Sequence, residues 1–371
     1  MSILIGADLV PTNSNEENFI NGDIESLIGE ELLILLRNAN ERIFNLEVPL
    51  TDKKNPINKC GPNLIASTNT IKGIKALNPT LLTLANNHIL DQGEEGLEST
   101  RCILRENNIP YVGVGNNVFE AREPYIIIYE NLKVGIYACA EHEFTIATEN
   151  SSGANPFDPL ESLDHIYSLR SNCDYVIVLY HGGKEHYRYP SPNLQKVCRK
   201  IIEKGADMVI CQHSHCIGSM EKYKEGTIVY GQGNFLFDDS DCDYWQTSLL
   251  IKLDIKDRLE IEFIPLVKNG KGVDLAKGDK VTQILEDFYS RSDEICSTDF
   301  VKEKYREFSM ENREKYMVSI AGFNRISRKL NKILNNRLIN IRYRNNKLLT
   351  LKNYIECEAH RELILNAIDN K

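Results

Sequence analysis

Several short apolar segments of this chain end abruptly in side chains that can hold a proton or a metal ion. They end at Asp8 (after residues 3–7), Glu47 (after 42–46), Asn86, Asn87 and His88 (after 79–85), His181 (after 175–180), and His213 and His215 (after 208–211). Short apolar runs bounded by polar residues are typical of buried strands. Polar residues that follow such strands leave the sheet at its carboxyl edge, where open α/β sheets bind ligands. The sequence therefore predicts an α/β fold with a polar site at one sheet edge.

The segments between these runs predict helices, and two places predict antiparallel strands. Apolar residues recur at helical spacing over residues 24–39, with Asp23 as a candidate N-cap, and helices are also expected at 70–77, 93–107, 162–171 and 192–204. Residues 125–129 with 133–139, and 247–254 with 259–266, are predicted β-hairpins. The sheets are therefore expected to be mixed rather than purely parallel.

The character of the chain changes near residue 272. From about residue 279 the strand signals cease, and an apolar stripe at helical spacing runs from Phe323 to Leu338. Residues 316–371 carry eleven basic and four acidic side chains, although the whole chain has a net charge of −9. This asymmetry predicts two units, a body over residues 1–272 and a basic helical extension over residues 273–371.

The basic helices of the extension allow more than one partner. They fit a helix packed on the acidic body, or an interfacial helix that binds a membrane surface, an anionic polymer or a synthase partner. Clustered cations also attract nucleic acid. No recognised nucleic-acid motif accompanies them, so nucleic acid is not the expected partner.

Composition favours the cytoplasm, with peripheral attachment at the inner membrane face as an option for the basic helices. The chain has no run of about 18 apolar residues and no basic, apolar leader at its N-terminus. Its ten cysteines include no Cys-x-x-Cys pair, which favours free thiols in a reducing compartment.

The side chains at the strand ends suit a pair of first-row divalent cations. A carboxylate can bridge two cations, and neutral imidazoles complete each shell without over-neutralising the charge. His213 and His215 are two residues apart, so in an extended segment they point the same way. Two alternatives remain open at this stage. The histidines could lie in a surface loop, and Asn86 and Asn87 could satisfy their own backbone in a turn.

Six ordered motifs carry a family resemblance. They are Gly6-Ala7-Asp8, Asn45-Leu46-Glu47-Val48-Pro49, residues 85–93 (Ala-Asn-Asn-His-Ile-Leu-Asp-Gln-Gly), residues 181–185 (His-Gly-Gly-Lys-Glu), His213-Ser214-His215, and Gly233-Asn234-Phe235 with Asp238. The sequence resembles the CapA-type capsule and poly-γ-glutamate biosynthesis proteins, a branch of the calcineurin-like metallophosphoesterases. The resemblance implies an α/β fold in which two packed, mixed β-sheets are flanked by helices as a four-layer sandwich, followed here by the C-terminal helical extension.

The resemblance also implies a metal site. It implies two divalent cations (manganese, iron or zinc), with Asp8 on one, Glu47 bridging both, Asn87 and His181 on the second, and His213 and His215 shared between them. One departure stands out, because related phosphoesterases have Asp-x-His in the first motif, whereas this chain has Val10 at the third position. The first cation is therefore expected to be a ligand short.

The resemblance also implies that His88 is the acid or the oxyanion-binding imidazole. Asp91 and Glu185 are expected to orient His88 and His181, because groups beside metal-site histidines commonly hold them in place. Helix capping and surface solvation remain open as alternative roles for these two carboxylates, and Asn234 and Asp238 are expected to support the ligands.

The implied function is that of a metal-dependent hydrolase in the biosynthesis of a capsule, a poly-γ-glutamate-like polymer or a related product. The bond would be a phosphoester or an amide, and the substrate an anionic polymer or a small phosphorylated or γ-glutamyl compound. The alternative is a non-catalytic accessory protein whose cleft holds an anionic polymer or a synthase partner. The missing histidine at position 10 favours this alternative.

Overall fold

The computed structural model describes residues 1–256, 258–344 and 346–369. Asp257, in the expected turn of the second hairpin, and the last two residues of the expected extension lie outside this part. The chain divides into two compact units, Met1–Lys302 and Glu303–Lys371.

The strands of the first unit form two larger sheets and one short pair. The strands are β1 (Ser2–Val10), β2 (Glu41–Leu46), β3 (Leu81–Thr83), β4 (Tyr111–Val112), β5 (Val114–Gly115), β6 (Tyr125–Tyr129), β7 (Leu132–Ala140), β8 (Gly153–Ala154), β9 (Tyr175–His181), β10 (Met208–Gln212), β11 (Met220–Tyr223), β12 (Gly226–Val229), β13 (Asn234–Phe237), β14 (Thr247–Ile255), β15 (Leu259–Asn269) and β16 (Gly272–Leu275). The first sheet has the order β16-β15-β14-β1-β2-β3-β4, with β13 also paired to β1, and the second has the order β11-β12-β10-β9-β7-β6.

Both larger sheets are mixed, as predicted. In the first, β1, β2, β3 and β4 run parallel, while β14 is antiparallel to β1. In the second, β7, β9 and β10 run parallel, and β6 is antiparallel to β7. The predicted hairpins β6–β7 and β14–β15 are both formed.

Helices alternate with these strands in the first unit and make up the second unit. They are α1 (Glu16–Asn21), α2 (Glu30–Asn38), α3 (Ile71–Ala76), α4 (Gly93–Glu106), α5 (Val118–Ala121), α6 (Ser162–Arg170), α7 (Pro192–Glu203), α8 (Asp279–Glu294), α9 (Thr298–Ile320), α10 (Arg325–Ile333), α11 (Arg337–Arg342), α12 (Asn346–Glu356) and α13 (Glu358–Asp369), with short 3₁₀ turns at Thr68–Thr70 and Asp243–Trp245.

Side chains that point alternately to the two faces of each strand build the four layers. On β1, Ile3 and Ile5 face a buried cluster shared with Ile177 and Ile210 of the second sheet. Leu4 faces the opposite side, in a cluster that contains residues of α2, α3 and α4. A third cluster packs the outer face of the second sheet against α6 and α7. Because successive residues of a strand point to opposite faces, each sheet is buried on both sides. The predicted four-layer sandwich is therefore confirmed.

The helix predicted over residues 24–39 is shorter than expected. It begins at Glu30, because the preceding backbone pairs with β16: Val273 N–H donates to Leu27 O at 2.7 Å, and Gly29 N–H donates to Val273 O at 3.2 Å. Asp23 does not cap this helix; its carboxylate accepts from Ser26 instead. A pairing partner more than 240 residues away thus overrides the local helical pattern.

The first unit continues past residue 272, where the composition changes. Gly272–Leu275 adds β16 to the first sheet, and α8 follows it. Ile284 and Phe288 of α8 are buried with Ile217 and Leu249, and the ring of Phe288 lies 4.9 Å from that of Phe263 on β15. The structure therefore places the division at residue 302 rather than at residue 272.

The second unit is helical, as the sequence predicts. It contains the greater part of α9 and all of α10 to α13. Asn331 of α10 is buried and accepts a hydrogen bond from the backbone N–H of Ile339, which joins α10 to α11. Among the helices described, none combines the length and apolar character needed to cross a bilayer.

Phe288 tests whether α8 belongs to the body. Its ring is fully buried, whereas the neighbouring Tyr289 is 45% exposed. We expect Phe288→Ala to lower the free energy of unfolding of the sheet body by about 3–5 kcal/mol, the usual cost of removing a buried phenyl ring. Tyr289→Ala serves as the control and should cost under about 1 kcal/mol. Equal denaturant midpoints for the two variants would place α8 outside the body.

Candidate metal centre

The predicted site residues meet where the carboxyl ends of the two sheets' parallel strands come together. Asp8 lies near the end of β1, and Glu47 directly follows β2. His181 ends β9, and His213 follows β10. All four side chains are buried. Strands far apart in the sequence thus deliver their chelating residues to one place.

A bulge in β1 directs Asp8 into the site. The pairing register between β1 and β2 shifts between Ile5 and Asp8. Gly6 lies within this shift, and a Cβ atom there would stand 2.5 Å from the ring of Phe44. Such bulges bend a strand and redirect a side chain. The glycine of the first motif is therefore required by close packing beneath the carboxylate.

His213 and His215 have unusual backbone conformations. Their φ angles are +88° and +51°, in the region that residues other than glycine rarely adopt. Such backbone strain clusters at functional sites. Both imidazoles face the site, because His213 Nδ1 lies 3.1 Å from His181 Nε2 and His215 Nδ1 lies 3.5 Å from Asp8 Oδ2.

The donor atoms form two clusters that share one residue. Cluster 1 consists of Asp8, Glu47 and His215, and cluster 2 of Glu47, His181 and His213. In each cluster the candidate ligand atoms lie within 4.8 Å of one another. Glu47 belongs to both, which is the position that a bridging carboxylate would require.

The surroundings of His181 Nε2 match a coordination shell. Asn87 Oδ1 lies 3.0 Å away, His213 Nδ1 3.1 Å away and Glu47 Oε1 3.2 Å away. An imidazole nitrogen carries at most one proton, so it cannot donate to all three atoms. Ligand atoms that share a cation at about 2.1 Å lie roughly 3 Å apart. A shared divalent cation would therefore explain why these donor atoms lie so close together.

Three carboxylate oxygens in the site lack hydrogen-bond partners. Within the described part of the chain, Asp8 Oδ2 and both Glu47 oxygens are buried and accept no hydrogen bond. Both residues have no exposed surface. Burying an ionised carboxylate is costly unless a positive charge compensates it. Together with the neighbouring imidazoles, these oxygens form a donor set that fits divalent cations.

The protonation states of the histidines respond to these carboxylates. Burial disfavours a charged His215, but Asp8 and Glu47 outweigh it and raise the pKa of His215 to about 9. Burial likewise opposes protonation of His181, and Glu47 nevertheless raises its pKa. Burial and the nearby His181 hold the pKa of His213 well below its usual value. A bound cation must therefore compete with a proton at His215, and it meets least competition at His213.

Ionisation of Asp8 complements that of the histidines. Burial opposes its ionisation, but the nearby imidazoles of His215 and His181 hold the pKa of this carboxyl below its usual value. Asp8 Oδ1 accepts from Asn45 Nδ2 at 2.8 Å, which leaves Oδ2 directed at His215.

His88 and Asp91 form a unit beside cluster 2. His88 Nδ1 lies 2.5 Å from Asp91 Oδ2, which fixes Nδ1 as the hydrogen-bond donor and leaves Nε2 for another partner. The side chain of Lys59 is 2% exposed; its ammonium pairs with Asp91 Oδ1 and lies 3.2 Å from His88 Nδ1. The expected orientation of His88 by Asp91 is present, and Lys59 secures the carboxylate.

The remaining predicted residues take different positions. Asn234 Oδ1 lies 2.9 Å from His215 Nδ1, which fits the expected supporting role. Glu185 pairs at the surface with Lys184, and Asn45 instead stands 3.3 Å from His181 Nδ1. Asp238 forms an ion pair with Lys268 and so fixes the segment after β13 rather than a ligand.

Val10 is buried in the hydrophobic cluster beneath the helices. It offers no donor atom, so in the described chain cluster 1 has one ligand-bearing residue fewer than the Asp-x-His pattern would supply.

Asn45 and Lys59 are two residues that sequence reasoning missed. Asn45 had a detectable signal, because it is a polar residue inside a buried strand, two positions before Glu47 and on the same face. Lys59 had none, since it lies in an irregular polar loop between residues 52 and 66. Its burial depends on how that loop folds over the segment 87–91.

Curated proteins of capsule biosynthesis are similar to part of this chain. The chain is 34% identical over 218 residues to the capsule biosynthesis protein CapA of Bacillus anthracis, which covers 55% of this chain and 52% of that protein. It is 30% identical over 203 residues to the PGA biosynthesis protein CapA of Bacillus subtilis strain 168, covering 52% of each. The chain thus spans about half the length of the curated relatives it matches.

A phosphatase of known structure from Mycoplasma pneumoniae is also similar, with a TM-score of 0.47 and 14% identity over 72% of this chain and 94% of that one. A family model described as bacterial capsule synthesis protein PGA_cap matches residues 4–239, well over half of the chain. The expected kinship with CapA-type proteins is confirmed, and the chain belongs to the bacterial capsule synthesis protein family PGA_cap.

Proposed function

We propose that this protein is a metal-dependent hydrolase that acts on a phosphoester or amide bond during the biosynthesis of a capsule or a poly-γ-glutamate-like polymer. The observation that carries the proposal is the shared, fully buried Glu47, whose two oxygens have no hydrogen-bond partner among the described residues and face histidines on either side. Such an arrangement costs stability unless cations fill it. Family membership supplies the biosynthetic setting.

Two divalent cations would be held by this donor set, with Asp8 and His215 on one, His181, His213 and Asn87 on the other, and Glu47 between them. Manganese, iron and zinc all accept carboxylate and imidazole ligands. When bound, they would supply Lewis-acid polarisation of a phosphoryl or acyl oxygen and a lowered pKa for an attacking water.

His88 is proposed to act on the leaving group. In hydrolysis, the oxygen of water bonds to phosphorus or to the acyl carbon while the bond to the leaving oxygen or nitrogen breaks, and that atom takes up a proton. With Nδ1 held by Asp91, Nε2 of His88 is the nitrogen able to donate it. The His88 side chain is 11% exposed, so substrate can reach it.

Lys59 and Asp91 are positioning residues in this scheme. The ion pair holds Asp91 in place, and Asp91 Oδ2 also accepts from the backbone N–H of Leu64 at 2.6 Å. A carboxylate held at both oxygens holds the imidazole in one tautomer and one orientation.

A non-catalytic accessory role is the second candidate. It is favoured by Val10, which leaves cluster 1 a ligand short, because a weakly held cation would bind anionic groups without activating water efficiently. Turnover by the metal-loaded protein decides between the two candidates. A protein with filled sites that hydrolyses neither aryl phosphodiesters nor γ-glutamyl amides, yet binds an anionic polymer, would be an accessory protein.

The second unit is proposed to bind an anionic membrane surface. On α10, Ile326 is 71% exposed, Leu330 48% and Ile333 75%, and their spacing puts them on one face of the helix. Arg325, Arg328, Lys329 and Lys332 flank this face. Exposed apolar side chains bordered by cations are typical of helices that lie in the lipid interface.

The bridging position of Glu47 can be tested by metal content. Glu47→Gln should lose metal more severely than Asp8→Asn, because Glu47 would serve two cations and Asp8 only one. The measurement is elemental analysis after dialysis, with the exposed Glu203→Gln as a control expected to bind metal as the wild type does. Equal retention in the first two variants would contradict a dinuclear centre.

His88 separates catalysis from metal binding. His88→Ala should leave metal content near that of the wild type while reducing turnover by about 10²–10⁴, the usual scale for a general acid or base. His213→Ala should lose metal and turnover together. Lys59→Met should reduce kcat with little change in metal content. If His88→Ala also lost its metal, His88 would be a ligand and its proposed role would be wrong.

The membrane proposal can be tested with vesicles. Replacing Arg325, Arg328, Lys329 and Lys332 with Gln should weaken binding to vesicles containing phosphatidylglycerol, with the difference shrinking as salt rises. Replacing Lys352 and Arg361 with Gln provides a control of the same charge type outside α10. Sedimentation with pure phosphatidylcholine vesicles measures the apolar contribution. Unchanged binding by the α10 variant would exclude this helix as the contact.

A further inference from the structure

A cavity of about 370 Å³ lies between the loop before α7, the residues that precede β14 and helix α8. Its charged lining consists of Arg188, Lys280, Arg291, Asp243 and Asp287. Three cationic and two acidic side chains leave one positive charge, in a chain that is acidic overall. None of these residues belongs to the clusters that would bind the cations.

Two guanidinium groups in this cavity are held by backbone carbonyls. Arg188 Nη1 donates to Ile217 O at 2.9 Å, and Arg291 Nε donates to Gly218 O at 2.9 Å. Across residues 1–256, 258–344 and 346–369, neither arginine forms an ion pair within 4.0 Å. Burial, together with the charge of Arg188, lowers the pKa of Arg291. Two half-buried cations held near each other by backbone carbonyls form a site that an anion would stabilise.

A row of aromatic rings connects this cavity to cluster 1. The guanidinium of Arg188 lies 4.9 Å above the ring of Tyr244, which stacks on His186 at 5.2 Å. His186 Nε2 accepts from Trp245 Nε1 at 3.0 Å, and the ring of Trp245 lies 4.8 Å from that of His215. Three rings in series, those of Tyr244, His186 and Trp245, thus connect the cavity with the metal centre.

We infer that this cavity is a subsite for a carboxylate of a γ-glutamyl substrate whose scissile bond lies at the metal centre. The inference rests on the proposed function for the class of substrate and adds the residues that recognise it. A planar guanidinium binds a carboxylate through paired N–H donors, and each arginine has donors left over from its single backbone contact. The single net positive charge matches a carboxylate monoanion better than a phosphate dianion.

The row of rings gives the subsite a fixed relation to the reacting bond. The partly exposed Trp245 offers apolar ring surface for the methylene carbons of a γ-linked chain, while the carboxylate on each unit needs a cation. A polymer with one carboxylate per repeating unit would place one of them at Arg188 and Arg291 while an amide elsewhere along it lies at the metal centre.

Trp245 is the only tryptophan of the chain, so its fluorescence reports on this location. The experiment titrates the manganese-loaded full chain with a γ-linked glutamate tetramer and follows this emission. Arg188→Gln and Arg291→Gln should each raise the Kd at least about tenfold, because a charge-assisted hydrogen bond is lost. Arg37→Gln, which removes an exposed arginine paired with Glu25, should bind as the wild type does.

Changes to the ligand identify the chemical group that the cavity binds. The same tetramer with its carboxylates converted to amides should bind the wild type about as weakly as the acid form binds Arg188→Gln. Either arginine substitution should change the Kd for inorganic phosphate only slightly. If the arginine variants weaken phosphate as much as the tetramer, the site is a general oxyanion site and the carboxylate assignment is wrong.

Failure of this inference is distinguishable from failure of the proposed function. Wild-type affinity for the tetramer in Arg188→Gln, with metal content and thermal midpoint unchanged, overturns the subsite and leaves the hydrolase proposal intact. Arginine-dependent binding without any turnover overturns the hydrolase and retains the subsite. Should Arg291→Gln fail to fold, since its side chain holds the backbone at Gly218, Arg188→Gln decides alone.

Discussion

The burial of two carboxylates at the meeting edge of the sheets is the constraint on which the rest of this structure depends. Asp8 and Glu47 have no exposed surface, and their unpaired oxygens lie within reach of three imidazoles. Water cannot solvate these charges, so the protein must compensate them with protonated histidines or with cations. The carboxylates raise the pKa values of His181 and His215, which favours the protonated imidazoles. The clustered ligand atoms provide a place for cations.

The surrounding fold is arranged to hold these charges. Parallel strands of two sheets deliver ligands to one edge, and the sandwich buries that edge beneath loops. The bulge at Gly6 and the positive φ angles of His213 and His215 are local costs that only a well-packed body can sustain. The apolar face of α8, with Ile284 and Phe288 buried, contributes to this body, which explains why the body extends beyond the change in composition at residue 272.

The sequence alone could predict much of the fold and the ligand positions, because both depend on local pattern. An apolar run followed by a chelating residue identifies the end of a buried strand, and Asp8, Glu47, His181 and His213 all satisfy that rule. Contacts between side chains that are far apart in the sequence could not be predicted. Asn45 rather than Glu185 reaches His181, and the ion pair of Lys59 depends on a loop without a local signal. The start of α2 likewise depends on pairing with β16, far along the chain.

The distribution of charge bears on how an acidic protein could act on an acidic polymer. A chain with a net charge of −9 repels a polyanion over distances of about the Debye length, roughly 8–10 Å at physiological salt. Binding then requires local positive charge that is strong at short range and buried enough to resist screening. Cations at Glu47 would provide it at the reacting bond, and Arg188 and Arg291 would provide it at the other end of the row of rings. An acidic body with two separate cationic points favours a substrate that carries negative charge at matching intervals, and it disfavours polyanions whose charges fall elsewhere along the chain.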